Sequence, residues 1–172
     1  MSLYCVSEDI TKLEVDAVVN AANPGLRHGG GVCGAIFRAA GAARLQAACD
    51  RYGHCDTGKA VITGGFSLPA EFIIHTVGPR YQQGNPNQAS QLYGCYQNSL
   101  ILAGQLRLRS IAFPLISSGV YGYPKEEAVK IAIGAIMGWL ANHDIDVYLC
   151  ILDPHLCAMA TAYQNSWIHS RL

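Results

Sequence analysis

The sequence predicts an α/β sandwich built on a largely parallel sheet. Short runs of β-branched and aromatic residues alternate with helical segments along the 172 residues. Apolar residues make up 51% of the chain and charged residues only 14%, which favours a well-buried interior. Because the sequence contains no internal repeat, low-complexity tract or linker, we expect one domain over residues 1–172.

The strands are predicted where short apolar or β-branched runs lie between polar or glycine-containing turns. They cover residues 3–6, 17–20, 60–63, 72–77, 110–115 and 147–152. Segment 78–89 is rich in Gly, Pro, Asn and Gln, so we expect a mobile loop there.

The helices follow from apolar side chains that recur at three- and four-residue steps. They cover residues 32–40, 42–51, 88–106, 124 to about 142, and the segment after Asp153 to about 169. Pro124 is expected in the first turn of the fourth helix, and Asp153 is expected to cap the fifth. In the first two helices the expected buried residues are Ala35, Ile36, Ala39 and Ala40, followed by Leu45, Ala48 and Cys49. In the third helix they are Leu92, Cys95, Tyr96, Ser99, Leu100 and Ala103. In the fourth helix they are Ala128, Ala132, Ala135, Ile136 and Trp139.

A polar, glycine-rich loop joins the second strand to the first helix. Asn20 and Asn23 follow the strand, Pro24 and Gly25 end it, and glycines occupy positions 29–31. Glycines let a backbone approach a ligand closely, and a helix N-terminus offers unpaired N–H groups, so this layout favours a phosphate. The motif is neither a P-loop nor the G-x-G-x-x-G dinucleotide fingerprint. A glycine triplet alone also fits a tight strand-to-helix connection.

A second loop of small residues, SSGVYG at 117–122, follows the fifth strand. Its composition allows successive N–H groups to point into one concavity, which would bind an anion. Together the two loops would hold a diphosphate from both sides without a basic side chain.

Ligands of such sheets bind outside the carboxyl ends of the strands, and four predicted loops leave strands there. These loops are 7–11, 20–31, 117–123 and 153–155.

Charge and composition argue against several classes of partner. The formal net charge is +0, which disfavours broad attachment to nucleic acid or to a membrane surface. No apolar run is long enough to span a bilayer and no signal peptide is recognisable, so we expect a cytoplasmic protein. The 7 cysteines are scattered without a C-x-x-C pair, which fits a reduced protein and provides no structural zinc site. His75 lies in an apolar run and is expected to be a core histidine.

The ordered motifs of this chain resemble the macrodomain family of ADP-ribose-binding proteins. They are DIT at 9–11, NAAN at 20–23, GGGV at 29–32, HTVGP at 75–79 and FPLISSGVYGYP at 113–124. The similarity covers about residues 6–152 and is nearest to the MacroD-type hydrolases, which include bacterial O-acetyl-ADP-ribose deacetylases. It implies a three-layer α/β/α macrodomain sandwich with a central mixed, largely parallel sheet. The implied partners are ADP-ribose or ADP-ribosylated protein and O-acetyl-ADP-ribose, with no cofactor and no metal.

The resemblance also implies roles for individual residues. Asp9 matches the aspartate that accepts a hydrogen bond from the adenine amine, and Ile10 matches the neighbour that contributes a backbone contact. Without the resemblance, Asp9 would also fit a residue that caps a turn. Asn23 matches the asparagine that orients the distal ribose, Tyr121 matches the aromatic residue that packs on it, and Asn20 is expected to brace the loop. The implied catalytic positions are therefore Asn23 and Tyr121. The implied ligand-binding positions are Asp9, Ile10, Asn20, Gly30, Gly31, Val32, Cys33, Ser117, Ser118, Gly119, Val120 and Tyr121.

Cys33 is the position at which this chain departs from the MacroD-type pattern, where many sequences have an aspartate that is proposed to help activate water or the ribose. A thiol is mostly protonated at neutral pH and cannot replace a carboxylate as general base without a strong local perturbation. We do not expect it to be a nucleophile either, because His28, the nearest candidate base, is expected to be an exposed loop residue.

Two functions from different classes therefore remain. The first is a hydrolase that removes mono-ADP-ribose from acidic side chains, or acetyl from O-acetyl-ADP-ribose, with a water held by Asn23, backbone carbonyls and the substrate's phosphate. The second is a non-catalytic ADP-ribose-binding module. Asn23 and the nearness of the motifs favour the enzyme. An unrelated nucleotide-binding α/β domain would explain the glycine loops but not the NAAN motif.

Overall fold

Six strands form one mixed sheet in the computed structural model, which describes residues 2–171. The strands are β1 Leu3–Val6, β2 Ala17–Ala22, β3 Ala60–Gly64, β4 Phe72–Val77, β5 Ser110–Pro114 and β6 Asp146–Cys150. Their order is β1-β6-β5-β2-β4-β3. All neighbours pair in parallel except β3, which runs antiparallel to β4 at one edge. The expected mixed, largely parallel sheet is confirmed.

Helices cover both faces of the sheet. They are α1 Gly31–Ala40, α2 Ala42–Asp50, α3 Gln88–Gln105, α4 Lys125–Leu140 and α5 Pro154–His169, with a 3₁₀ turn at Ile10–Lys12. One apolar cluster contains the buried residues of α1 and α2, and a second contains those of α3, α4 and α5. The sheet separates the two clusters, so the three-layer α/β/α arrangement is confirmed.

The alternation of side chains along β2 assigns residues to the two layers. Val18 and Ala22 pack with α1 and α2, whereas Ala17 and Val19 pack with the helices of the other face. Asn20 lies on the α1 and α2 face by this alternation, and its register partner on β4 is His75. Two polar side chains therefore lie next to each other in a mostly apolar layer.

Four strands, β2, β3, β5 and β6, have boundaries that differ by one or two residues from the sequence-based expectation, and the largest differences are at the carboxyl ends of β2 and β6. β2 does not end at Asn20, because Ala21 and Ala22 continue the ladder opposite Thr76 and Val77. β6 ends at Cys150 and not at 152, because its neighbour β1 ends at Val6, directly opposite. Asn20 is thus a strand residue and does not belong to the loop.

Helix packing confirms most of the expected stripes and corrects others. Every predicted stripe residue of α3 is buried, and the Asp153 carboxylate caps α5 by accepting from the His155 N–H at 2.9 Å. In α1 the exposed Ala39 is not part of the stripe, which Cys33 and Phe37 supply. Pro124 occupies the N-cap position of α4, one residue before the helix. Among the described residues, no helix is long and apolar enough to cross a membrane.

Candidate functional site

A cavity of about 770 Å³ opens at the carboxyl edge of the sheet. Its walls are the segments that follow β1, β2, β5 and β6. These four strands are contiguous and parallel in the sheet, so their carboxyl ends share one edge. The four predicted loops therefore meet at one site.

The N-terminus of α1 forms one wall of the cavity. Gly30 caps the helix without a side-chain hydrogen bond, and Gly31 has φ +56°, a conformation that favours glycine. Among residues 2–171, the N–H groups of Gly31, Val32 and Cys33 donate to no protein acceptor. A Cβ placed on Gly30 or Gly31 would meet nothing within 4 Å. This wall therefore offers unpaired N–H donors in open space.

The loop 117–122 forms the facing wall. Its backbone turns are closed by bonds from the Tyr123 N–H to the Ser117 carbonyl at 2.8 Å and from the Gly122 N–H to the Gly119 carbonyl at 3.0 Å. In the described part of the chain, the N–H groups of Gly119, Val120 and Tyr121 have no acceptor. Val120 is 98% exposed. Successive unpaired donors in such a loop can bind an anion.

Ser117 anchors this loop to the rest of the fold. It is a non-glycine residue with φ +67°, and its Oγ donates to the Pro79 carbonyl at 2.8 Å. A left-handed conformation is unfavourable for a serine, so this contact and the Tyr123 bond must hold it. The loop is consequently preorganised before any ligand enters.

Asp9 lies at the end of the cavity near β1 and β6. Its Oδ1 accepts from the Thr11 hydroxyl at 2.7 Å and from the Thr11 N–H at 3.0 Å. These two hydrogen bonds hold the pKa of the Asp9 carboxyl below its usual value. Oδ2 has no protein partner among the described residues, so Oδ1 caps the turn while Oδ2 can accept a hydrogen bond from a ligand. Ile10 and Leu152 line the same end of the cavity.

Asn23 lies at the opposite end, after β2. Its Nδ2 donates to the Arg27 carbonyl at 2.8 Å, and its Oδ1 accepts from the Arg27 N–H at 2.9 Å. The Cys33 thiol donates to the same carbonyl at 3.7 Å. The backbone of one residue therefore fixes the orientation of both side chains.

Asn20 is 1% exposed and lies behind the cavity wall, where it is not a lining residue. Its Nδ2 contacts Nδ1 of His75 at 3.1 Å and the Cys33 sulfur at 3.6 Å. An amide nitrogen only donates, so Nδ1 of His75 accepts and the ring proton lies on Nε2. That proton is donated to the Thr63 hydroxyl at 2.9 Å. A buried polar chain thus connects β3, β4 and β2 to the start of α1.

His75 is fully buried, and the prediction of a core histidine is confirmed. Burial lowers the pKa of its ring to about 4, so the neutral form is present at neutral pH. His28 is exposed as expected and stacks on Phe37 with ring centroids 5.0 Å apart. The hydrogen-bond partners of the Cys33 sulfur are Asn20 and the Arg27 carbonyl, so neither histidine serves it as a base.

Arg80 and Lys125 also line the cavity and were not expected from the sequence. Arg80 lies just beyond β4, the strand next to β2, so its proximity follows from the strand order. Its guanidinium carbon lies 4.9 Å from the centre of the Tyr121 ring. In residues 2–171 no group of three His, Cys, Asp or Glu side chains is arranged to hold a metal ion.

Comparison with known proteins identifies the family. A family model described as the Macro domain matches residues 19–132, and the chain belongs to this macrodomain family. It is 54% identical over 140 residues to a Klebsiella pneumoniae protein named O-acetyl-ADP-ribose deacetylase, covering 79% of each chain. It is 54% identical over 144 residues to the mouse ADP-ribose glycohydrolase MACROD1, covering 83% of this chain and 44% of that protein. The Oceanobacillus iheyensis macrodomain with ADP superposes with a TM-score of 0.88 at 39% identity, covering 96% of this chain and 90% of the other.

We predict that His75 makes the stability of the protein depend on pH. Its pKa falls from 6.5 to about 4 on folding, so between these values the unfolded chain binds more protons. The free energy of unfolding should be highest above about pH 6.5 and should decrease as the pH falls towards 4. The decrease attributable to His75 should be on the order of 3 kcal/mol.

Urea denaturation between pH 4 and 7 measures this effect. His75→Gln should remove this part of the pH dependence, whereas His28→Gln, at an exposed histidine, should leave it unchanged. NMR titration of the His75 ring in the folded protein provides a check that needs no variant. A ring that titrates near its ordinary pKa would contradict the prediction.

Proposed function

We propose that this chain is an ADP-ribose-binding hydrolase. It removes mono-ADP-ribose from modified acidic side chains, deacetylates O-acetyl-ADP-ribose, or does both, and acts in the cytoplasm without a cofactor. The observation that carries the proposal is the pair of facing walls with unpaired backbone N–H groups at residues 31–33 and 119–121. The names of the mouse and Klebsiella relatives support the reaction.

In this proposal the diphosphate lies between the two walls. Neutral N–H donors at the α1 N-terminus and in the loop 117–122 bind its oxygens, and the helix dipole adds to the attraction. Asp9 accepts a hydrogen bond from the adenine amine through Oδ2, beside the backbone of Ile10. The distal ribose then lies at the other end, against Asn23 and Tyr121. Asn20 does not contact the ligand; its Nδ2 contacts the Cys33 sulfur and thereby helps to hold the start of α1 in place.

Hydrolysis of the ribosyl ester requires one water and releases one proton. The water oxygen bonds to C1″ of the distal ribose, and the C1″–O bond breaks with its electron pair on the departing carboxylate. For O-acetyl-ADP-ribose the water adds to the ester carbonyl carbon, and the acyl–oxygen bond breaks to give acetate and the ribose hydroxyl. In both reactions the protein acts mainly by positioning the groups, which can supply about 7–11 kcal/mol in ideal cases.

The second candidate function is a non-catalytic ADP-ribose-binding module. It is favoured by the distribution of carboxylates, because Glu8, Asp9 and Asp153, the acidic residues that line the cavity, follow β1 or β6. Asn23 follows β2, which β5 and β6 separate from β1. A module of this kind would bind the same ligand without turning it over.

One experiment separates the two functions. The protein is incubated with a mono-ADP-ribosylated protein and, separately, with O-acetyl-ADP-ribose, and the release of ADP-ribose or acetate is followed. Turnover of either substrate supports the hydrolase. ADP-ribose binding without turnover of either would establish the binding module instead.

We predict that Gly119→Val abolishes ADP-ribose binding and leaves the fold intact. Gly119 lines the cavity, and a Cβ there meets no protein atom within 4 Å, so the added side chain should compete with the diphosphate and not with the protein. Affinity measured by calorimetry should fall by at least about 100-fold, equivalent to roughly 2.7 kcal/mol. Gly134→Val, at a helix position that is equally open, should bind normally. Wild-type affinity in Gly119→Val would remove this loop from the binding site.

We predict that Asn23→Ala lowers turnover more than affinity. The expected loss in kcat is about 10- to 100-fold, with the Kd for ADP-ribose changed by less than about threefold, because the group orients the distal ribose and water. Gln46→Ala is the matched control: Gln46 bonds the Leu26 carbonyl and the His28 N–H of the same loop but does not line the cavity. Equal losses in the two variants would assign the effect to loop order alone.

We predict that Cys33→Ala keeps most of the turnover. The thiol donates to the Arg27 carbonyl and has no base beside it, so it is not the nucleophile. Cys33→Asp should retain or raise kcat by restoring the carboxylate, and Cys55→Ala, at a buried cysteine outside the cavity, controls for the loss of a thiol. If Cys33→Ala lost turnover while its ADP-ribose affinity was preserved, the thiol would be catalytic.

A further inference from the structure

A second cavity, of about 230 Å³, adjoins the ribose end of the first. The two cavities share Gly78, Arg80 and Tyr121 as lining residues. The second is smaller than the roughly 300–1,000 Å³ of typical ligand sites, so it fits one side chain or a small acid but no nucleotide. Its remaining lining is mostly polar and consists of Pro24, Thr57, Pro79, Gln82, Asn85 and Gln91.

Arg80 is the cation at the junction of the two cavities. Its guanidinium is stacked over the Tyr121 ring at 4.9 Å and forms no ion pair with any described residue. An arginine on an aromatic face keeps its in-plane N–H groups available, and these match a carboxylate in a bidentate fork.

The backbone around Arg80 is fixed on both sides. The Pro79 carbonyl accepts from the Ser117 hydroxyl at 2.8 Å, and the Tyr81 N–H donates to the Tyr121 carbonyl at 2.8 Å. The next N–H, of Gln82, donates to the Gln88 side chain at 2.9 Å. Segment 79–82 is therefore tethered both to the loop 117–122 and to α3, although the sequence predicts a mobile loop.

We infer that this second cavity receives the carboxylate side of the ester bond that the proposed hydrolase cleaves. The inference rests on the proposed function, because the scissile bond is placed by the distal ribose between Asn23 and Tyr121. Both substrates release a carboxylate: the acidic side chain of the modified protein in one case and acetate in the other. When the C1″–O bond of the ribosyl ester breaks, its electron pair moves to the departing carboxylate oxygen, and the Arg80 guanidinium pairs with the negative charge that forms there. In deacetylation the electron pair of the acyl–oxygen bond goes to the ribose oxygen, which takes up a proton, and the acetic acid that is formed loses a proton, so Arg80 pairs with the product acetate.

The inference explains why a cation lies at this end of the site. The neutral N–H groups that bind the diphosphate provide no partner for the negative charge that forms on the departing carboxylate. Arg80 and Tyr121 both border the two cavities, so Arg80 can contact the leaving group while Tyr121 contacts the ribose. The acid expected there is an acetate, or a glutamate or aspartate side chain.

An NMR titration tests the site without requiring turnover. Acetate is added to the free protein and to the ADP-ribose-saturated protein, and the Arg80 Nε–Hε resonance is followed, with the neutral isostere acetamide as control. Acetate should produce a saturable shift in both samples, and acetamide should not. Arg80→Gln should remove the acetate-dependent shifts of neighbouring backbone resonances, while Arg51→Gln, at an exposed arginine outside both cavities, should keep them. No shift with acetate, or the same shift with acetamide, would overturn the inference.

Kinetics then distinguish the two sources of the carboxylate. Arg80→Gln should lower kcat/KM at least tenfold and change the Kd for ADP-ribose less than threefold, and Arg80→Lys should recover part of the loss. A loss with the ADP-ribosylated glutamate peptide alone assigns the cavity to a protein side chain, and a loss with O-acetyl-ADP-ribose alone assigns it to acetate.

Equal loss of ADP-ribose affinity would make Arg80 a nucleotide contact and overturn the inference. Absence of ADP-ribose binding by the wild-type protein would instead overturn the proposed function and with it the leaving-group role, and the acetate titration of the free protein would show separately whether the cavity binds a carboxylate.

Discussion

The site depends on one constraint, which is that backbone N–H groups remain unpaired at two places on the same cavity. Buried peptide groups almost always find a partner, so unpaired donors persist only where they face solvent or a ligand. Gly31, with its left-handed backbone, and the turns of the loop 117–122 keep these donors directed at open space. The small residues at these positions are needed for the same reason, because a larger side chain would occupy the space that the donors face.

Such donors are useful only if the backbone that carries them stays in place. Each wall is therefore tied to a part of the fold that does not touch the cavity. Ser117 connects one wall to Pro79, and Tyr121 connects it to Tyr81. The other wall is connected through Cys33 to Asn20 and His75, inside the sheet. The neutral form of His75 is part of this support, since a protonated ring could not accept from Asn20.

Features that depend on local pattern were mostly predicted from the sequence, with Ala39 and Pro124 as exceptions, whereas features that depend on strand order were missed. The stripe of α3 and the cap at Asp153 follow from spacing and residue type alone, and both predictions are confirmed. The two small-residue loops were located in the same way, and both line the cavity. The predicted strand ended at Asn20, and its continuation through Ala22 follows from pairing with β4, which is remote in the chain. Arg80 was not predicted as a site residue for the same reason, because its segment is polar and glycine-rich. Three hydrogen bonds, with Ser117, Tyr121 and Gln88, hold this segment beside the site, and they are visible only in the structure.

A site built from main-chain groups also determines which genetic changes it tolerates. Peptide N–H groups are present whatever the side chain, so many point substitutions in the loop 117–122 preserve the donors as long as the new residue is small or points outward, as Val120 does. A single-residue insertion or deletion, by contrast, shifts every following N–H out of position and breaks the turn that Tyr123 closes on Ser117. Loop length, more than loop composition, is thus the heritable property on which such a site rests.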